Sequence, residues 1–593
     1  MMENRALLFK NKNFSNTILL VILIIGLALR LWQLGHVPIS PDWDEVALGY
    51  SAYSILHTGH DEFGNFLPAV LRSFGDYKPA LYSYLAIPSI ALFGLTVFAV
   101  RLPSVVMGVL GIWLLYLFVK ELVSLNPKPE TRNPKQAQMS KEEGLRQQLA
   151  IGNWQSAIPL VAAFLIAISP WQIQFSRTAF ETNTGLTFNL LIGLFFLKGL
   201  KRPWMLLPAA LFAGLNLSVY QSERVFTPLL VLALVIIYRN ELLKVSKKYL
   251  LGSVLVGLIA VLPMLLFIFT HANSLARIQN TVLFSQQTQA IRNAPFRLVN
   301  DKAHHDLIGE IIDNRRVVFA REIIGAYLSH FNLNWLFLEG DNPRHHAPGM
   351  GLLYMLDLPF LFIGIYQFVF GKFSKKTKYL IFSWLLLAPV PAAVTFDVPH
   401  AVRAMNMLPM LLFFEAIGYV SVFHFINKYK SAGTKQKVLT FIFYALFFVS
   451  AAFNFTYYLN QYFVQQNYFN AARWQYGYAK IIPQVERVQK HYKSIVVSNK
   501  AGMNQSYMFF LFYLRYPPQY YQQLVAQGKN LTSDKQFGKY EFRTFNWNTA
   551  RFKKDTLYVG SAADFPSNIV AKKTIYYPDG KPAMMLVDPK NNL

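Results

Sequence analysis

The chain reads as a polytopic α-helical membrane protein with a small α/β domain after its last apolar run. Three observations predict this: the length and number of its apolar stretches, where its basic residues fall, and a change of character near residue 460. Of its 593 residues 53% are hydrophobic and 50 are Phe, and only 15% are charged, against roughly 25% in soluble domains. Mean hydropathy is +0.28. About eleven stretches approach the roughly 20 residues that span a bilayer, at about 17–35, 97–119, 151–171, 183–200, 203–219, 225–238, 249–270, 351–370, 378–396, 404–426 and 437–458.

The net charge is +26. Its basic residues cluster in short segments between apolar runs, at Lys10 and Lys12, Lys120 to Arg146, Lys198 to Arg202, Arg239 to Lys248, Lys372 to Lys378, and Lys428 to Lys437. That spacing marks cytoplasmic loops rather than a nucleic-acid surface. It puts the N-terminus in the cytoplasm of a multi-pass cell-membrane protein. The first run lies behind Arg5, Lys10 and Lys12, ends at Arg30-Leu31-Trp32-Gln33 and lacks a small-x-small cleavage site, so it reads as a retained helix. The absence of Cys excludes disulfides and thiolate metal sites.

Pro79 to Leu95 is nearly long enough to span, but counting it would push the Lys120–Arg146 loop outside. Parity therefore lays it along the outer surface as a juxtamembrane helix, with Pro88 in its middle and Tyr82 and Tyr84 near its start. Residues 126–148 read as a polar cytoplasmic linker, and His271 to Met350 as a long external loop. After about residue 460 the hydropathy falls. Ile495–Ser498, Leu557–Gly560 and Met584–Asp588 read as strands and Trp474 to His491 as a helix. The domains expected are a transmembrane region, 1–460, and an external soluble α/β domain, 461–593.

This topology sorts the polar helix ends to one face. Asp42, Asp44 and Glu45 follow the first span, and Asp76 and Lys78 precede the surface helix. Arg177 and Glu181 lie after the third span. Gln221, Glu223 and Arg224 lie after the fifth, Glu339, Asp341, Arg344, His345 and His346 before the eighth, and His400 and Arg403 between the ninth and tenth. Carboxylates beside cations suit transfer from a lipid-phosphate donor: Arg and Lys bind phosphate, and a carboxylate serves as general base. Plainer readings stand beside this one. Asp44-Glu45 also fits the cap and first turn of a helix starting near Val46, and Glu181 a first-turn acid. Lys78 also fits a snorkelling anchor. Adjacent imidazoles suit one ion poorly without further ligands, so His345-His346 reads as a solvated loop.

Several motifs stand in order within roughly 17–460: Ser40–Tyr50, Gly59–Asn65, Phe74–Tyr82, Val100–Ser104, Ser169–Glu181, Asn342–His345 and Pro399–Arg403. Together they resemble the GT-C-fold glycosyltransferases of the bacterial protein-mannosyltransferase-like and aminoarabinose-transferase-like type (glycosyltransferase family 39-like). The resemblance implies inverting transfer, on the external face, from a polyprenyl-phosphate sugar. Asp44 matches the general base, with Glu45 its neighbour and Asp42 a spare carboxylate. Lys78 matches the lysine expected near the lipid phosphate. Many relatives carry a carboxylate directly before that lysine; here Tyr77 stands there and Asp76 one step further back. Glu181 stands where relatives often have Asp. Arg177, Arg224 and Arg403 are the remaining phosphate-binding candidates, and Asp42, Asp76, Glu181, Gln221, His345, His346 and His400 the candidate contacts to acceptor, sugar or metal. Partners are then the lipid-linked donor, membrane lipid, and an acceptor protein, lipid or glycan, with no nucleic acid. No nucleotide or redox cofactor is expected, and a divalent metal is left open. A flippase of lipid-linked sugars, favoured by inverted repeats and mid-membrane charges, and a glycan polymerase or ligase are the alternatives.

Overall fold

A computed structural model describes residues 12–74, 76–125, 155–271, 288–429, 433–500, 502–503, 505–532, 534–553 and 555–592. The 126–148 linker and the basic residues Arg5 and Lys10 lie outside them. The chain divides into two compact units. One comprises 1–30, 107–175 and 181–458; the other 31–106, 176–180 and 459–593. The expected boundary at 460 is thus one edge of the division, because the second unit also takes in the first interhelical segment.

The first unit is helical. Every expected span has a helix, but among the described residues five are long and apolar enough to cross a membrane: Asn13–Leu31, Val97–Ser124, Lys247–Thr270, Met405–Lys428 and Thr434–Phe469. A sixth arises if Gln155–Ile168 and Pro170–Arg177, bent by 55°, count as one span. Other expected spans are shorter or more polar than these. Asp357–Phe370 has 14 residues, about 21 Å of rise against about 30 Å of hydrocarbon. Glu181–Gly199 is long enough but carries buried Thr182, Asn183, Thr184, Thr187 and Asn189. Lys247–Thr270 exposes Leu251, Val254, Leu258 and Phe269, the surface lipid would cover.

Asp357–Phe370 and Leu408–Tyr429 pack closely at two glycines. A Cβ on Gly364 would fall on the Phe414 carbonyl, and one on Gly418 on that of Phe360. Arg30, at the end of the first helix, is fully buried. It donates to the carbonyls of Gly26 (2.9 Å), Ala167 (2.9 Å) and Ile166 (3.1 Å) and to Gln172 Oε1 (2.9 Å). The stretch expected as a loop after His271 is largely helical where described: Gln289–Ala303, Leu307–Ile312 and Arg315–Ser329. Thr288, Asp306 and Asn314 cap these helices with their side chains, a local signal the hydropathy reading passed over.

The second unit is mixed. The Trp43–Thr58 helix starts at a reciprocal capping box and ends at Gly59 in the left-handed region, φ 71°. Strands β1 (Val70–Ser73) and β2 (Asp76–Pro79) form an antiparallel hairpin that pairs Leu71 with Lys78. The following helix, Leu81–Phe93, has 13 residues around Pro88, too short to span. After residue 460 comes the Tyr476–Val488 helix and a six-stranded sheet built from β3 (Ser494–Val497), β4 (Lys535–Phe537), β5 (Tyr540–Phe542), β6 (Thr556–Gly560), β7 (Lys573–Tyr576) and β8 (Pro582–Val587). Its order is β4-β5-β3-β6-β8-β7. β3 runs parallel to β5 and β6, and the other pairings are antiparallel. Alternation along the strands serves two cores. Ile495, Val497, Leu557 and Val559 join the cluster that contains Val46, Tyr50 and Phe509, whereas Val496 and Tyr558 pack with Trp547 and Phe565. One core therefore unites the first interhelical segment with the C-terminal sheet.

Candidate functional site

The capping geometry at Trp43 separates three neighbouring carboxylates. Asp42 is fully buried, and its Oδ1 accepts the Glu45 amide at 2.9 Å; the Asp42 amide donates back to Glu45 Oε2 at 3.2 Å. The cap is thus Asp42, two residues earlier than expected, and Asp44 and Glu45 lie in the first turn. Glu45 is buried against Arg101, which is also fully buried. Arg101 Nε donates to Oε1 at 2.8 Å and Nη2 to Oε2 at 3.0 Å. The Ala179 amide adds a bond to Oε1 at 2.9 Å. Arg101 also binds the carbonyls of Leu34, Pro38 and Ser40, each at 3.0 Å. Glu45 and Arg101 therefore clamp the segment after the first helix. The two oxygens of Glu45, expected as a catalytic neighbour of Asp44, accept four hydrogen bonds from inside the fold.

Asp44 points elsewhere. Its carboxylate pairs with the Lys78 ammonium, and the side chains are 34% and 9% exposed. The helix start supplies one partner and the hairpin the other, 34 residues apart. Lys78 Nζ also lies 5.2 Å from the centre of the Phe74 ring. Asp76, one step before Tyr77, accepts the Tyr77 amide at 2.6 Å, a local turn bond.

Arg177 is the expected phosphate ligand that follows the third span. It is fully buried, donates to the Val37 carbonyl at 2.9 Å, and lies 5.5 Å and 4.8 Å from the rings of Tyr462 and Phe463. Its surroundings hold backbone and aromatic rings together. The Gly59–Asn65 motif is an Asx-type turn: Asp61 accepts the amides of Phe63 and Asn65 and the Asn65 side chain, each at 2.9 Å. Glu62 is buried and accepts Ser51 Oγ at 2.9 Å. Burial, reinforced by Asp61, pushes its carboxyl up to about 8.

The other candidates belong to the first unit. Arg224 is half-buried; its Nη1 donates to Gln221 Oε1 at 2.8 Å and its Nε to the Leu217 carbonyl at 3.2 Å. Arg403 is half-buried and donates to Thr395 Oγ1 at 2.6 Å and to the Phe396 carbonyl at 2.8 Å. Glu181 is buried at the first position of its helix. The same helical unit holds a polar network whose asparagines the reading of helix ends missed. Glu223 Oε2 accepts Asn189 Nδ2 at 2.6 Å, Oε1 accepts Asn406 Nδ2 at 2.8 Å, and Asn216 Nδ2 donates to Asn189 Oδ1 at 3.0 Å. Asn residues inside three apolar runs were the available signal.

His345 is not in a solvated loop: its side chain is 4% exposed and pairs with Asp341 at 2.9 Å. The further ligands that adjacent imidazoles lack come from elsewhere. Asp341, His345 and His400 converge, while His346 turns away to donate from Nδ1 to the Ala347 carbonyl at 2.9 Å. Burial opposes the charge on Asp341, but His345, His400 and the Ala401 amide outweigh it and hold the carboxyl below its usual range. Burial, and then the Arg403 charge, holds His400 well below the ordinary imidazole value.

No family model matches the sequence, and no curated protein matches it. The structure is similar to that of ArnT from Cupriavidus metallidurans bound to undecaprenyl phosphate, with a TM-score of 0.55 at 11% identity, over 97% of this chain and 98% of that one. ArnT from the same organism in the apo state gives a TM-score of 0.52 at 10% identity with the same coverage. Identity at this level speaks to architecture, and it does so along nearly the whole of both chains. With its apolar helices, the protein is a polytopic membrane protein of the GT-C fold.

Proposed function

We propose that the protein is a membrane glycosyltransferase that moves a sugar from a polyprenyl-phosphate donor to an acceptor on the outer face of the cell membrane, with inversion. The observation that carries this reading is the Asp44–Lys78 pair, a partly exposed carboxylate held against a lysine on the fold of a protein crystallised with undecaprenyl phosphate. In this reading Asp44 takes the proton from the acceptor hydroxyl or amine as it attacks the anomeric carbon. The bond to phosphate breaks on the opposite side of that carbon, and the phosphate leaves as the lipid-linked anion. Lys78 has three donor protons. One serves Asp44, and two are available to neutralise the departing phosphate. Within the helical unit, Arg224, with Gln221 accepting from it, and Arg403 are kept as candidate phosphate-binding residues. Glu45, Asp42 and Arg177 position the segment that carries Asp44.

The acceptor is a protein, lipid or glycan. Basic loops keep the N-terminus cytoplasmic and put Asp44 and the C-terminal sheet outside. Supporting this reading against a flippase, Asp44 and Lys78 sit at a helix start and in a hairpin rather than at mid-span.

The test is reconstitution of the purified protein in liposomes with radiolabelled polyprenyl-phosphate sugars and a membrane-extract acceptor pool. Label passing into the acceptor fraction with one donor, without any nucleotide sugar, is the expected result. Label crossing the bilayer while still on the lipid would contradict it and make the protein a flippase.

A further inference from the structure

We propose that Asp341, His345 and His400 form a binding site for a borderline divalent cation, zinc foremost. Among the described residues this is the one group of three side chains with metal-ligand chemistry, and one ligand atom from each lies within 4.8 Å of the others. Ligands of a tetrahedral zinc ion at about 2.0–2.1 Å lie about 3.3 Å apart. Closing the group therefore takes an inward shift of at most about 1.5 Å, which side-chain torsions supply.

Three further observations point to a ligand. First, the group is enclosed: the His345 and Asp341 side chains are 4% and 10% exposed. Second, it is incomplete without one. His400 Nδ1 and Asp341 Oδ1 are sealed from solvent and have no hydrogen-bond partner among the described residues. An imidazole nitrogen and a carboxylate oxygen left in that state cost free energy, which a cation between them removes. Third, the surroundings hold the ligands in place. The Ala401 amide donates to Asp341 Oδ2 at 2.7 Å. His330 Nε2 accepts the His400 amide at 3.2 Å, while its Nδ1 donates to the Ala326 carbonyl at 2.8 Å. The Phe175 ring lies 5.7 Å from that of His345. Outer hydrogen bonds of this kind fix ligand orientation in metal sites.

Two imidazoles and one carboxylate select zinc or a similar transition ion over magnesium and calcium, which favour oxygen ligands. Three protein ligands leave a fourth position for water. The site stands on geometry within one helical unit and does not depend on the transferase reading.

The experiment uses the full-length protein in detergent, stripped with chelator, loaded with Zn²⁺, dialysed and assayed by elemental analysis. A parallel sample takes Co²⁺ for its visible spectrum. We expect about one zinc per chain, the intense bands of four-coordinate cobalt, and affinity lowered at least about tenfold by His400→Ala and by Asp341→Asn. His304→Ala, an exposed histidine, leaves binding unchanged. Millimolar Mg²⁺ does not displace the zinc. Wild-type protein that retains no zinc, or equal retention by wild type and both ligand variants, would overturn the site. The cobalt spectrum is read on wild type, so the proposal survives a variant that fails to fold.

Discussion

Asp44 and Glu45 are adjacent, but their surroundings differ, one partly exposed beside Lys78 and the other sealed against Arg101. Glu45 is sealed with Arg101 in the interior, and removing one partner of such a pair leaves an uncompensated buried charge. Glu45→Ala should therefore lower stability by about 3–5 kcal/mol, read as a fall in melting temperature in detergent. Asp44 is 34% exposed, so Asp44→Asn should cost under about 1 kcal/mol in the same experiment. Glu62 gives a pH signature. Its carboxyl is raised from 4.5 to about 8 by burial and by Asp61, so between those values the unfolded chain has lost a proton that the folded chain keeps. Stability must fall as pH rises across that window. Glu62→Gln should flatten the decline, measured by thermal unfolding from pH 4.5 to 8. A decline of the same slope in the variant would refute the assignment. The sequence made the carboxylates after the first helix visible, since capping residues and polar helix ends are local. It could not separate Asp44 from Glu45, because the deciding partner, Arg101, is 56 residues away. Asp341 and His400 likewise meet across 59 positions that no local pattern connects.

At the scale of elements, close packing and buried polar groups decide which helices tolerate change. Gly364 and Gly418 let two helices approach to backbone contact. Gly364→Leu should cost about 1–3 kcal/mol or more through overpacking, seen in unfolding of the detergent-solubilised protein. Glu415 is fully buried, and neither oxygen is hydrogen-bonded among the described residues. Glu415→Leu should accordingly leave stability unchanged or raise it; a clear loss would show that the carboxyl has a partner. The positions of the helices were legible because long apolar runs announce themselves. Five of these helices, among the described residues, meet the length and composition of a span; a window of apolar residues does not show where helical geometry stops. Residues 351–356 lie before the Asp357–Phe370 helix, and the helix before Leu387 ends ahead of Pro389 and Pro391. The helices after residue 288 went unread because their signal was side-chain capping, not hydropathy.

In the whole molecule, the segment after the first helix shares a core with the C-terminal sheet, so a single cut at residue 460 would divide a packed unit. Residues 461–593 expressed alone would expose the faces of Phe509, Phe512 and Tyr507 that pack in the core with Val46 and Tyr50. The strands were readable as alternating apolar runs; the sharing of their core was not, because it joins segments some 400 residues apart. The GT-C architecture gives this unit its context, and the Asp44–Lys78 pair within it is the proposed reaction centre. The most direct measurement compares wild type with Asp44→Asn in liposomes, scoring both sugar transfer and binding of the lipid-linked donor. Transfer should fall by at least about 100-fold, the lower range for loss of a general base, with donor binding retained. Equal transfer by both proteins would contradict the role given to Asp44.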